Sequence, residues 1–290
     1  MSANKKIIVT GCNGQLGRAI NKIYQGSTAY ECVNTDVAEL DITKIEEVDR
    51  FVAEVKPYAI INCAAHTNVN ACETDVDNAY KINAVGPRNL SIAAARYHAK
   101  PMHISTDYVF DGHASTPYTE FDTPSPNSVY GKTKLAGECF VKEFAGEYFI
   151  VRTAWLYGDG KNFVKTMLGL AANRDQVTVV GDQFGSPTSA DELARMIAHL
   201  LPTDNFGVFH GTCEGITNWA DFTRAFYRLA GISTEVKTVT TEEYDRNTTG
   251  IVAPRPAYSV LDNYMLRLTT DYRFADWEKA IAEYIKSLSF

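Results

Sequence analysis

The sequence predicts an α/β protein built on a doubly wound parallel sheet, with a second, smaller α/β lobe interleaved with it. Three observations predict this. Short β-branched runs alternate with longer amphipathic stretches through the first half of the chain. The first such run leads directly into a glycine-rich turn. Beyond Arg152 the alternation loosens and aromatic residues accumulate, with no repeat, low-complexity tract or long linker to set a separate domain apart.

Strands are expected at Lys6–Thr10, Tyr30–Thr35, Ala59–Asn62, Met102–Ser105 and Phe149–Arg152, each a short apolar run bounded by turn or polar residues. Helices fall between them. Leu16–Tyr24 follows the glycine turn, and Thr43–Val55 opens with Thr43 and Glu46 at capping-box spacing. Asn78–Tyr97 and Tyr130–Phe144 complete this half, while a strand at Val177–Val180 and a helix at Ala190–Leu201 follow in the less regular half. The organisation expected is a dinucleotide-binding unit over residues 1–152, to which 177–202 return, and a substrate lobe made of 153–176 and 203–290.

Composition narrows the function. The 290 residues carry 28 Lys and Arg against 35 Asp and Glu, a formal charge of −7, with no clustered basic run, which disfavours nucleic acid as a partner. The polar start, Met1 to Lys6, precedes only a short apolar run, so neither a secretory signal nor a membrane span is expected and the cytoplasm is the default location. Six cysteines lie scattered without a Cys-x-x-Cys pair, which argues for reduced, mostly buried thiols and against a metal site.

Gly11, Cys12, Asn13, Gly14, Gln15, Leu16 and Gly17 join the first strand to the first helix. Glycines let the backbone turn tightly and approach a ligand, and the free N–H groups of a helix start favour a pyrophosphate. The spacing of glycines 11, 14 and 17 departs from G-x-G-x-x-G, but the strand, turn and helix are contiguous, so a Rossmann-like site for NADH or NADPH is expected here. Asp36, just past the second strand, is placed to accept from an adenosine ribose and would repel a 2′-phosphate; Asp41, left free by a Thr43 cap, would meet the adenine side. Either carboxylate could equally be a solvated loop residue.

Tyr130 and Lys134 stand four apart on an expected helix and so share a face. A phenol titrates near ~10 and transfers a proton poorly at neutral pH unless a cation stabilises its anion, which Lys134 could supply. Such a pair suits general-acid delivery of a proton to a carbonyl oxygen as hydride reaches the carbon. A second Tyr-x-x-x-Lys, Tyr157 and Lys161, contains Gly158 and Gly160 and reads as a loop coincidence.

A larger set of motifs stands in order along the chain: Thr10-Gly11-x-x-Gly14-Gln15-Leu16-Gly17, Asn62-Cys63-Ala64-Ala65-His66-Thr67, Asn83 before Gly86-Pro87, and Ser105-Thr106-Asp107-Tyr108-Val109-Phe110. Tyr130-Gly131-Lys132-Thr133-Lys134, Arg152-Thr153-Ala154-Trp155-Leu156-Tyr157-Gly158, Gly181-Asp182-Gln183-x-Gly185-x-Pro187-Thr188 and Arg255-Pro256-x-x-Ser259-x-Leu261-Asp262 follow. In these the chain resembles the extended short-chain dehydrogenase/reductase superfamily, and most closely its dTDP-4-dehydrorhamnose reductase family.

The resemblance implies reduction of dTDP-4-dehydro-6-deoxy-L-mannose to dTDP-L-rhamnose by hydride from NADH or NADPH. It implies that Gly14, Gln15 and Leu16 touch the cofactor pyrophosphate, with Gly11 and Asn13 in the same loop, that Ala64, Ala65 and Thr67 line its path, and that Asp41 and Ile42 flank the adenine. Tyr130 would protonate the C4 oxygen, Lys134 would lower its pKa and hold the nicotinamide ribose, and Thr106 would hydrogen-bond the reacting oxygen. Asp107, Tyr108 and Trp155 would lie against the sugar, and Arg255 is the candidate for the nucleotide diphosphate. Plainer roles stand beside these: Trp155 as core, Arg255 as partner of a carboxylate, His66 as a structural residue bonded to backbone.

Two other functions compete. Dehydration needs its own acid and base, which related dehydratases supply as Asp-Glu after the strand threonine; Asp107-Tyr108 stands here, so the base is absent. A non-catalytic regulatory subunit, or a reductase of another 4-keto nucleotide sugar, would keep the glycine turn. Threonine, tyrosine and lysine are all retained, which favours catalysis. The partners expected are a small dTDP-sugar and neither nucleic acid nor membrane, with a homodimer left open.

Overall fold

The computed structural model describes residues 4–288. The reading of the polar start falls largely on Met1, Ser2 and Ala3, which lie outside the described residues. In chain order the first half runs β1 (Lys5–Thr10), α1 (Gln15–Tyr24), β2 (Tyr30–Thr35), α2 (Ile45–Val55), β3 (Ala59–Asn62), α3 (Val69–Cys72), α4 (Val76–Tyr80), α5 (Gly86–Arg96), β4 (Lys100–Thr106), α6 (Val129–Phe144) and β5 (Phe149–Thr153). The second half runs β6 (Leu156–Tyr157), α7 (Phe163–Ala171), β7 (Gln176–Val180), β8 (Phe184–Gly185), β9 (Thr188–Ser189), α8 (Ala190–Leu200), β10 (Gly207–His210), β11 (Thr217–Asn218), α9 (Trp219–Leu229), β12 (Glu235–Val239), α10 (Thr241–Arg246), α11 (Tyr264–Thr269) and α12 (Trp277–Ser287).

Six of these strands form one parallel sheet in the order β10-β5-β4-β3-β1-β2. Side chains alternate across it, as a pleated strand requires. Ile7 and Val9 of β1 enter one core with α1 and α8, whereas Ile8 between them enters a second core with Val48, Val52 and Leu90 of α2 and α5. Helices therefore cover both faces and the sheet is doubly wound.

The structure departs from the sequence reading in four places. Thr43 does not cap α2, which starts at Ile45 with Lys44 before it; the Thr43 hydroxyl and N–H instead donate to Asp41, the hydroxyl at 2.7 Å. The stretch read as one helix, Asn78–Tyr97, is α4, a π-helical turn over Lys81–Val85, and α5. Pro87 has no N–H for the Asn83 carbonyl, and that freed carbonyl faces Gly137 of α6, where an added Cβ would stand 2.3 Å from it. The thiols are less buried than expected: Cys72 and Cys213 are buried, Cys139 is exposed, and Cys12, Cys32 and Cys63 lie between.

The fourth departure concerns the lobes. Within 177–202 only α8 packs on the main sheet side, against α1. The strand of that range, β7, pairs instead with β12 in a separate parallel pair, while β10, from the range assigned to the second lobe, supplies the sixth strand beside β5. The crossover decides this: α8 leads straight to β10, as a parallel connection needs.

One core runs beneath both lobes. It holds Ile7, Val9, Val151 and Phe209 of the main sheet, Leu193 and Ile197 of α8, and Val177, Phe222, Phe226, Trp277 and Ile281 of the smaller lobe. Leu193 is fully buried in it. Leu193→Ala is expected to cost about 2–5 kcal/mol in urea unfolding, with far-UV circular dichroism and tryptophan fluorescence lost together. Fluorescence lost ahead of circular dichroism would show two separately folding units.

Candidate active site

All the strands of the main sheet end at one edge, and a cleft of about 710 Å³ opens along it. Its lining includes Gly11, Asn13, Gly14, Gln15, Leu16, Asp36, Asp41, Ile42, Ala64, Ala65 and Thr67 at one end. Thr106, Asp107, Tyr108, Tyr130, Lys134 and Trp155 line the other. Of the residues that the sequence assigns to cofactor, catalysis or substrate, Arg255 alone is not in the lining; it is exposed, with Nη1 3.4 Å from the Tyr108 hydroxyl.

The glycine turn is shaped by close approach. Gly11 has φ +63°, and a Cβ there would stand 2.8 Å from the Ala64 nitrogen; one at Gly17 would stand 2.5 Å from the Gly11 carbonyl oxygen. Helix α1 starts after Gly14 with no side-chain cap, so its first N–H groups point into the cleft unclaimed. The Gln15 Oε1 atom is buried there without a partner. These donors and this cradle fit a dinucleotide pyrophosphate.

At the glycine-turn end of the cleft, Asp36 accepts from the Val37 N–H at 2.9 Å and, weakly, from the Asn13 N–H at 3.4 Å, while its own N–H donates to Glu39. Two carboxylates, Asp36 and Glu39, thus stand together beside the glycine turn. Asp41 is not free, as its sequence reading held: the Thr43 hydroxyl and N–H both donate to it, and these bonds hold its carboxyl below the usual range. Ile42 is seated against Gly86, where a Cβ would meet its Cδ1 at 2.5 Å.

A chain of polar side chains runs under the strand ends from the glycine turn to α6. The Thr10 hydroxyl donates to Asn62 Oδ1 at 2.7 Å, Asn62 Nδ2 lies 3.1 Å from His103 Nδ1, and His103 Nε2 lies 3.4 Å from Lys134 Nζ. Lys134 donates to the Ile104 carbonyl at 2.6 Å. Asn83 clamps the His66 backbone, accepting from its N–H at 2.8 Å and donating to its carbonyl at 3.1 Å, so His66 serves structure.

At the reacting end, Thr106 donates to Asp107 Oδ1 at 2.9 Å and accepts from the Tyr108 N–H at 3.2 Å. The Tyr108 and Tyr130 rings meet edge to face at 5.5 Å. Burial pushes the Tyr130 phenol up, above its ordinary value, and outweighs the Thr106 hydrogen bond that acts the other way. This corrects the expectation of a lowered phenol pKa: with Lys134 drawn to the Ile104 carbonyl, desolvation decides, and the phenol keeps its proton. Burial also pushes Lys134 down to about 8 and Asp107 up to about 6, and the Asp107 Oδ2 atom is buried without a partner.

Trp155 adopts φ +49° and stacks on Trp219 at 3.6 Å with 8° between the ring planes. Both are half-buried and line the cleft, so Trp155 is not simply core. Trp219 and Lys161 are cleft residues that the sequence reading missed. Tyr157 lies buried in the core and Lys161 exposed at the rim, so that second pair does not act together. Among the described residues no group of three or more His, Cys, Asp or Glu is placed to hold a metal ion, and no helix is long and apolar enough to cross a membrane.

Known proteins are similar to this chain in sequence and fold. The family model of the RmlD substrate binding domain matches residues 5–290. A dTDP-4-dehydrorhamnose reductase of Aggregatibacter actinomycetemcomitans is 37% identical over 95% of this chain and 97% of its own. The crystal structure of a dTDP-4-dehydrorhamnose reductase from Clostridium acetobutylicum superposes with a TM-score of 0.93 at 52% identity, covering 97% of this chain and 98% of that one. That of Bacillus anthracis, in complex with NADP, gives 0.94 at 40% identity, covering 98% of this chain and 100% of that one.

The Asp36 and Glu39 carboxylates set an expected preference: calorimetric titration should find NADH bound at least as tightly as NADPH. Asp36→Ala should move the ratio toward NADPH. A strong native preference for NADPH would contradict this role of Asp36.

Proposed function

This chain belongs to the RmlD substrate binding domain family, and from that premise we propose that it reduces the C4 ketone of dTDP-4-dehydro-6-deoxy-L-mannose, giving dTDP-L-rhamnose. NADH or NADPH is the reductant. The observation that carries the reading is the meeting of Thr106, Tyr130 and Lys134 in one cleft with an uncapped glycine turn.

A dinucleotide held by the glycine turn would supply a hydride, and the sugar oxygen would then need a proton. Tyr130 holds it: a phenol raised by burial stays loaded across the neutral range and releases its proton only to an oxygen gaining negative charge. As C4–H and O–H bonds form, the carbonyl π bond breaks and a phenolate remains, to be reprotonated from water. Lys134, on the same helix face, offsets that charge. The Thr106 hydroxyl hydrogen-bonds the Tyr130 phenol oxygen and orients it.

For substrate, the free Asp107 oxygen is offered as an acceptor to a sugar hydroxyl, and the paired indoles of Trp155 and Trp219 as a flat wall for the hexose. The Tyr108 hydroxyl lies beside Arg255, whose guanidinium is offered to the diphosphate. The same reading supports a cytoplasmic location, where activated sugars and reduced dinucleotides are both at hand.

The direct test combines the protein, either cofactor and the 4-keto sugar nucleotide, following loss of dihydronicotinamide absorbance and identifying the product by NMR. Cofactor binding without turnover would favour a regulatory subunit instead. Tyr130→Phe should leave cofactor affinity nearly intact and cut kcat by about two to four decades. Because Lys134 loses its proton near pH 8, kcat/KM is expected to fall on the alkaline side from about that pH. A profile flat through pH 8 would remove the ammonium from the rate-limiting chemistry.

A further inference from the structure

Glu138 is fully buried and has no part in the chemistry above. It stands four residues beyond Lys134 and eight beyond Tyr130 on α6, so the three occupy one helix face. Its Oε1 accepts from the Ser105 hydroxyl at 2.6 Å and from Arg152 Nε at 2.9 Å, and its Oε2 accepts from Arg152 Nη2 at 2.7 Å. Ser105 directly precedes Thr106 at the end of β4, and Arg152 directly precedes Thr153 at the end of β5. One carboxylate thus ties the helix bearing tyrosine and lysine to the strand bearing threonine and to its neighbour. Arg152 is held in turn with its guanidinium 5.2 Å from the Phe110 ring centre.

An ion pair withdrawn this far from water is costly, and a well-packed apolar pair would hold a helix to a sheet at least as firmly. What an apolar pair lacks is direction and field. We propose that Glu138 is a positioning residue for the reduction: clamped to Arg152 and Ser105, it sets α6 in register against the ends of β4 and β5 and gives the Lys134 ammonium its fixed counter-charge. The proposal rests on the roles of Tyr130 and Lys134 given above.

The groups around Lys134 leave this task to Glu138. His103 of β4 is held neutral by burial and by the ammonium itself, and burial pushes the Cys63 thiol up to about 12, so neither is charged at neutral pH. Tyr130 is a neutral phenol; Cys72, Tyr108 and Asp107 stand around that phenol. Lys142, one turn further along α6, approaches Glu138 only at 4.0 Å. Burial drives Lys134 toward its neutral form, and of the charged groups Glu138 opposes it most.

The test is a titration independent of turnover. In protein labelled with 13C-lysine, the Lys134 Cε resonance is assigned by its loss in Lys134→Met and followed against pH. Glu138→Gln should lower its midpoint by roughly one pH unit, and the alkaline limb of kcat/KM should move with it while kcat falls. Glu138→Gln leaves Arg152 buried and unpaired, so Glu138→Gln/Arg152→Met is made beside it to remove both charges. The double variant should melt as a folded protein and keep the lowered midpoint, and Glu138→Asp should restore part of the shift. An unmoved midpoint in the folded double variant overturns the proposal. Loss of turnover in the native protein would instead overturn the reductase reading and leave the titration result standing.

Discussion

A parallel sheet brings the same end of every strand to one edge, and the chemistry of this protein is confined to that edge. Strand ends have backbone groups without a partner on the next strand, so polar side chains gather there. Thr10, Asn62 and His103 link three adjacent strands in a line that reaches Lys134 on a helix. The cradle for a phosphate and the lysine for a phenol are therefore parts of one rigid layer. Neither can shift without disturbing the hydrogen bonds that run between them.

That layer is nearly dry, and dryness decides which groups carry charge. Desolvation holds Tyr130 protonated, lifts Asp107 toward neutrality and weakens the hold of Lys134 on its proton. A proton donor that is loaded at rest and an ammonium near its point of release are suited to a reaction whose oxygen becomes negative only in passing. Asp36, half-buried at the far end of the cleft, accepts from the Val37 N–H and donates its own N–H to Glu39.

Local chemistry was legible in the sequence and long-range pairing was not. β2 and β3 could be read to the residue because β-branched runs end abruptly at turn residues, and the glycine turn and the Tyr130–Lys134 face follow from spacing along a single element. The start of α2 was misread because Thr43 and Glu46 imitate a capping box, whereas only the folded loop shows that Asp41 claims the threonine. The six-strand sheet took in Gly207–His210 and not the more strand-like Val177–Val180, since chain crossover and not β-propensity selects a sheet neighbour. Trp219 and Glu138 carry no motif; each gains meaning only from a residue brought to it by the fold.

The return of β10 to the main sheet also limits how this enzyme class can recombine. A chimera joined after Thr153, taking its whole second half from a relative, would import the outer strand along with the smaller lobe, and the new Gly207–His210 segment would have to dock on an old β5. Exchange between relatives should therefore proceed by small grafts that leave β10 on its own sheet, because the larger cut severs that sheet.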